Sequence, residues 1–216
     1  MSLARGMERR LERLVDGMAA RIFRGRMNPI ELASLLVRQA DLALRAGAYG
    51  PEAPNAFTVT LGGEPAEPEA RAQVEAELAA VVFETAVERG WRLVGPVRVR
   101  LVVGSGSPAT ATVQTAFLPA PMPPWARLIP PGRPARELRP NRALVGRSSQ
   151  ADVRLEEPEI SRRHALLWRE AGGIWVADLG SSNGTCLNGE PLTEVGEVAD
   201  GDLITFGNSH FVFRSV

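Results

Sequence analysis

At 216 residues the chain has room for two small domains with separate cores, and 44% apolar with 23% charged residues is the composition of a folded globular protein, not a disordered one. Equal numbers of basic and acidic side chains give no overall pull toward nucleic acid or anionic membranes. All 25 basic residues are arginine, which excludes Schiff-base chemistry and a lysine-bearing phosphate loop, while one cysteine and two histidines leave little material for a disulfide, a metal site or a catalytic triad.

In chain order, Leu3, Met7, Leu11, Leu14, Val15, Met18 and Ile22 recur at spacings of three and four, which predicts an amphipathic helix over 3–23. Asn28-Pro29 reads as a cap with proline at the first helical position. It opens a second helix to about Arg45, with Ile30, Leu32, Leu35, Leu36, Leu42 and Leu44 as its apolar set and Gly47 and Gly50 as its stop. Residues 57–61 alternate as a strand ending at Gly62-Gly63. The Ala- and Glu-rich stretch 69–89 predicts a third helix closed by Gly90. Residues 97–103 and 110–118 then read as two strands of a hairpin around Gly104-Ser105-Gly106-Ser107-Pro108. The order helix, helix, strand, helix, strand, strand is an α+β domain over 1–118.

Pro119, Pro121, Pro123 and Pro124 favour an extended linker over 119–125, about 20 Å at roughly 3 Å per residue. From 126 to 216 short apolar runs alternate with turn dipeptides, and nothing is periodic enough for a helix. Strands near 126–129, 135–138, 142–145, 152–155, 165–169, 174–179, 185–187, 203–206 and 210–214 predict an all-β sandwich.

Within that half, Gly146-Arg147, Ser161-Arg162-Arg163-His164 and Ser181-Ser182-Asn183-Gly184-Thr185 gather a guanidinium, hydroxyls from two loops and an amide. All of these donate to phosphoryl oxygens, and none is a poised base or nucleophile, so the pattern predicts binding without turnover: no enzyme, no cofactor and no metal. With Asn188-Gly189 and Gly201-Asp202 behind them, these motifs resemble the forkhead-associated (FHA) domain. The resemblance implies an eleven-stranded β-sandwich whose loops bind phosphothreonine peptides through Arg147, Ser161, Arg162, Ser182 and Asn183. It implies supporting roles for Gly146, Gly184 and His164, the last propping the Ser161 loop, and a structural role for Asp178. Serine at 182 keeps the donor where the family commonly has threonine. Selection of threonine over serine would come from an apolar notch for the methyl group, worth about 1–3 kcal/mol. Glu159, two residues before Ser161, is expected to disfavour acidic residues after the phosphothreonine. Leu166, Trp168 and Trp175 read as an apolar face away from the loops.

The segments Met7–Gly17, Phe23-Arg24-Gly25, Asn28–Ala33, Pro54–Val59 and Gly95-Pro96-Val97 resemble the N-terminal domain of the bacterial FhaA family. That resemblance implies an adaptor acting downstream of Ser/Thr protein kinases, around cell-wall synthesis and division, with a phosphothreonine-containing kinase or substrate as partner. The 119–125 linker is shorter than the family often has. Seven arginines within the first 26 residues leave an alternative: a first domain that binds RNA or a membrane surface while the FHA domain localises it. With no leader or membrane-length apolar run, the expected location is cytoplasmic, with any membrane recruitment supplied by the partner. Thr110 and Thr112, near the expected hairpin tip, are candidates for phosphorylation and internal capture by the FHA site.

Overall fold

The computed structural model describes residues 29–47, 49–62, 67–104, 111–170 and 172–216. The expected helix over 3–23, the cap at Asn28 and Thr110 lie outside these residues. The chain divides into two compact units, Met1–Ala120 and Pro121–Val216.

The first unit is α+β. Helix α1 (Pro29–Leu42) is followed by strands β1 (Arg45–Gly47), β2 (Gly50–Ala53) and β3 (Ala56–Gly62), helix α2 (Pro68–Glu88), and strands β4 (Arg92–Leu93), β5 (Arg98–Gly104) and β6 (Ala111–Ala116). Two three-stranded sheets form, in the orders β1-β2-β4 and β5-β3-β6. The expected hairpin of 97–103 with 110–118 is therefore corrected: both strands pair with β3, parallel on one side and antiparallel on the other. The parallel pair needs a crossover, and α2 supplies it. The second helix also ends earlier than expected, at Leu42, whose side chain is 70% exposed; Leu32, Ala33, Leu36 and Ala40 form its buried stripe.

Helix α2 buries Val74, Leu78, Val81, Val82, Thr85 and Ala86. It stops because Gly90 adopts φ 65°, letting the N–H groups of Gly90 and Trp91 close back on the carbonyls of Val87 and Ala86. Asn55, 1% exposed, donates its amide to the carbonyls of Pro96 and Leu118 and accepts from the Leu118 N–H. A buried amide satisfied on both ends fixes where β3, β5 and β6 begin and end.

The second unit is all-β. Its strands are β7 (Ala126–Ile129), β8 (Arg136–Leu138), β9 (Arg142–Gly146), β10 (Val153–Arg154), β11 (Ala165–Glu170), β12 (Gly173–Asp178), β13 (Thr185–Leu187), β14 (Glu190–Pro191), β15 (Gly196–Glu197), β16 (Leu203–Phe206) and β17 (Ser209–Ser215). They make a five-stranded sheet, β10-β9-β11-β12-β15, and a six-stranded sheet, β14-β13-β16-β17-β7-β8. All nine expected strands are present, joined by the two-residue strands β14 and β15.

Inward positions of both sheets, among them Val145, Leu167, Val176, Ile204, Phe206 and Phe213, pack into one core that also takes Ile160 and Trp125. Trp125 belongs to the stretch read as linker, yet it is 6% exposed, its Nε1 donates to the Pro140 carbonyl and its N–H donates to the Leu138 carbonyl. No helix among the described residues is long and apolar enough to cross a membrane.

Candidate phosphopeptide-binding site

The three motifs lie where β9 ends, just before β11 begins, and between β12 and β13 of the second unit. Past β9, the Arg147 and Ser148 N–H groups donate to the carbonyls of Ser161 and Arg162 at 3.0 and 3.1 Å, lacing the first loop to the second. Gly146 stands where they cross, and a Cβ there would collide with the Arg162 carbonyl, so only glycine permits the approach. Arg147 is exposed and spends its Nε on the Ile160 carbonyl at 3.1 Å. That bond fixes the guanidinium plane and keeps its two terminal nitrogens as a fork for an oxyanion.

Ser161 is the junction. Its N–H donates to His164 Nδ1 at 3.1 Å, and its Oγ accepts from the Ser182 N–H at 3.0 Å, so the hydroxyl proton remains to be donated. Because Nδ1 is an acceptor, the proton of His164 sits on Nε2, which donates to the Gly184 carbonyl at 3.0 Å. The ring is fully buried and meets Phe206 edge-on at 5.6 Å. One imidazole thus spans the second and third loops from beneath.

The third loop is shaped from below by Asp178. Its carboxylate accepts from the Ser181 N–H, the Ser181 hydroxyl and the Thr185 hydroxyl, at 2.7, 2.7 and 2.6 Å. Burial pushes this carboxyl up, but the donors from Thr185 and Ser181, with His164 nearby, outweigh it and hold the group below its ordinary value. Gly184 turns the chain with φ 73°, and its carbonyl accepts a second bond from the Gly207 N–H.

The structure brings Arg147, Ser161, Arg162, Ser182 and Asn183 to one end of the sandwich, over Gly146, His164 and Gly184. Arg162 and Ser182 are exposed, and their side chains have no partner among the described residues. Asn183 differs from expectation in one respect: its amide nitrogen donates to the Glu159 carbonyl at 2.8 Å, tying loop to loop, and only its Oδ1 stays open to a ligand. Two supports carry no sequence signal beyond a turn-forming glycine. Gly207 packs against Glu159 and Asn183, and Glu157 pairs with Arg133 at 2.8 Å, which neutralises one acid of the second loop.

Trp168 and Trp175 are cross-strand partners at the far end of β11 and β12, with their indole nitrogens on the Glu170 carboxylate and carbonyl. They lie outside this loop cluster.

A family model for the FhaA N-terminal domain matches residues 5–108, and one for the FHA domain matches residues 143–207. FhaA from Mycobacterium tuberculosis is 37% identical over 78 residues, which is 36% of this chain and 15% of that protein. The glycogen accumulation regulator GarA from Mycolicibacterium smegmatis is 40% identical over 69 residues, 32% of this chain and 43% of that protein. The chain thus spans less than half the length of these curated relatives. Among solved structures, the FhaA FHA domain complexed with the intracellular domain of Rv3910 is 32% identical, covers 41% of this chain and 97% of its own, and has a TM-score of 0.38. The order of the two matched regions, and the loops just described within the second, identify the chain as a forkhead-associated domain protein resembling the bacterial FhaA family, with an FhaA-type N-terminal domain followed by an FHA domain.

Proposed function

We propose that the second unit captures a phosphothreonine of a partner protein, and that the chain is a phosphothreonine-dependent adaptor in bacterial Ser/Thr kinase signalling linked to cell-wall synthesis or division. The observation that carries this reading is the lacing of three loops through Ser161. Its carbonyl holds Arg147, its hydroxyl oxygen holds the Ser182 backbone, and its N–H rests on His164.

Such a junction presents a guanidinium fork and two hydroxyls at fixed separation, while their scaffold bonds are already made. A phosphate ester carrying nearly two charges gains charge-assisted hydrogen bonds there without paying to order the loops. In the proposed assignment Arg147 and Arg162 meet the phosphate charge, and Ser161 and Ser182 donate hydroxyl protons to its oxygens. Asn183 accepts from the ligand's main chain through Oδ1. No group in this cluster serves as a nucleophile or metal-binding carboxylate pair, so the reading is of a binder and not a catalyst. The proposed partner is a kinase or a kinase substrate bearing phosphothreonine, met in the cytoplasm or at a membrane where that partner resides.

Titration calorimetry with one peptide in phosphorylated and bare threonine forms tests this. The phosphorylated form is expected to bind about a hundredfold or more tighter, and Arg147→Ala to remove most of that difference. Equal binding of the two forms, or no effect of Arg147→Ala, overturns it.

A further inference from the structure

The first unit carries a sheet face whose exposed charges are all basic. In the sheet β5-β3-β6 the register sets Arg98, Ala56 and Ala116 in one row, Arg100, Thr58 and Gln114 in the next, and Val102, Thr60 and Thr112 in the third. Strand alternation puts these nine side chains on one face, opposite the buried Phe57, Val59, Leu61, Val99 and Leu101. Arg98, Arg100, Thr112 and Gln114 are exposed.

The charges on this face are two guanidiniums and no acid. Neither has an ion pair or side-chain hydrogen bond among the described residues. Elsewhere in the unit, Arg45, Arg71 and Arg89 pair with Glu52, Glu75 and Asp41, and Arg92 lies over the Tyr49 ring. A carboxylate at the cross-strand position would stabilise an exposed arginine. Here Arg100 has Thr58 and Gln114 beside it, whose hydroxyl and amide donate to phosphate oxygens, and Arg98 has the small Ala56 and Ala116.

Two side chains on one strand face stand about 6.6 Å apart, on a backbone that the ladder holds rigid. A flat comb of this kind does not enclose a single phosphate monoester, as a loop junction does. It suits an extended ligand that repeats its charge. A lipid surface would call for large exposed apolar side chains beside the arginines, and this face has only half-buried Val102 and the small Ala56 and Ala116. We propose that the open face of the β5-β3-β6 sheet binds single-stranded nucleic acid through its phosphodiester backbone. Arg98 and Arg100 contact successive phosphates, flanked by Thr58, Thr60, Thr112 and Gln114. These contacts are to the repeating backbone and carry no base information, so binding is tolerant of sequence.

The test is fluorescence anisotropy of the full chain with a labelled oligothymidylate, between about 50 and 200 mM salt. The chain is expected to bind, and the double variant R98Q/R100Q to bind about tenfold more weakly at the lower salt, with the slope of log affinity against log salt shallower by about 1.4 for two lost contacts. A second variant, T112E/Q114E, is expected to weaken binding similarly, and an unchanged helical circular-dichroism signal in both variants shows that the first unit, which holds both described helices, is folded. Absence of binding at the lower salt overturns the proposal. So does an unchanged slope in R98Q/R100Q, which would move binding to the arginines of residues 5–26. Equal loss of retention on phosphatidylserine vesicles would replace nucleic acid with lipid and also overturn it.

Discussion

His164 holds two loops from a fully buried position, so its removal and the removal of a hydroxyl proposed to face the phosphate should separate cleanly. His164→Ala strands the Ser161 N–H and leaves the Gly184 carbonyl one donor short. The expected cost is about 3 kcal/mol in urea unfolding, from two broken bonds and a cavity beside Phe206. Ser182→Ala removes only an exposed hydroxyl; it should leave unfolding unchanged and weaken phosphopeptide binding about tenfold. A second residue-scale expectation concerns acid. Asp178 is held below its ordinary carboxyl value of 3.8, so its stabilising contribution is complete above that pH and is lost as pH falls through the depressed folded value. Asp178→Asn should cost about 2 kcal/mol at neutral pH, measured by urea unfolding, and the gap from the parent should narrow as pH falls below the ordinary carboxyl value of 3.8. The glycines at 146 and 184 were legible in the sequence, because close approach and a left-handed turn each restrict residue type, and so was the grouping of Arg147, Ser161 and Ser182 on neighbouring loops. The ties through the Ile160 and Glu159 carbonyls were not, since a main-chain acceptor is the same in every residue.

At the scale of elements, the expected hairpin shows where a local signal misleads. Gly104-Ser105-Gly106-Ser107-Pro108 between two apolar runs has the look of a hairpin turn, but alternation states only which side of a strand is buried, not which strand lies beside it. Asn55 and the α2 crossover decide that, and both act across long sequence separations. The same limit hid β14 and β15, whose two-residue ladders are too short for a period. The outer edge of β5 is tied to a helix instead of a fourth strand: the Leu101 N–H donates to the Glu75 carboxylate on α2 at 2.8 Å. Glu75→Ala should cost about 1–2 kcal/mol by chemical unfolding, because the N–H loses a charged acceptor. In the second unit, Trp168→Ala removes a cross-strand partner of Trp175 remote from the loops. It should lower the unfolding free energy by about 3 kcal/mol with the phosphopeptide affinity unchanged in calorimetry.

At the scale of the molecule, the two units each hold a core built from their own residues, and the proline-rich stretch is shared between them. Leu118 and Ala120 bond to Asn55 and to Val94 in the first unit. Met122 gives its carbonyl to Arg139 at 2.6 Å, and Trp125 packs against Phe213 with the Arg169 guanidinium 5.1 Å from its ring, both within the second. Proline spacing therefore marked the neighbourhood of the division but could not assign Trp125, because a tryptophan next to prolines reads equally as linker or core. The consequence is a sharp dependence on where the chain is cut. A fragment of residues 121–216 keeps every core contact of the sandwich and should unfold cooperatively, with a phosphopeptide affinity within about twofold of the full chain, since all five candidate ligand-binding side chains and their supports lie inside it. Starting instead at 126 removes the Trp125 indole from between Phe213 and Arg169 and leaves the Pro140 carbonyl without its donor. That fragment should lose about 3–5 kcal/mol relative to the longer one in urea unfolding, as a buried tryptophan truncation does. Equal stability of the two fragments would mean that Trp125 is not part of the sandwich core.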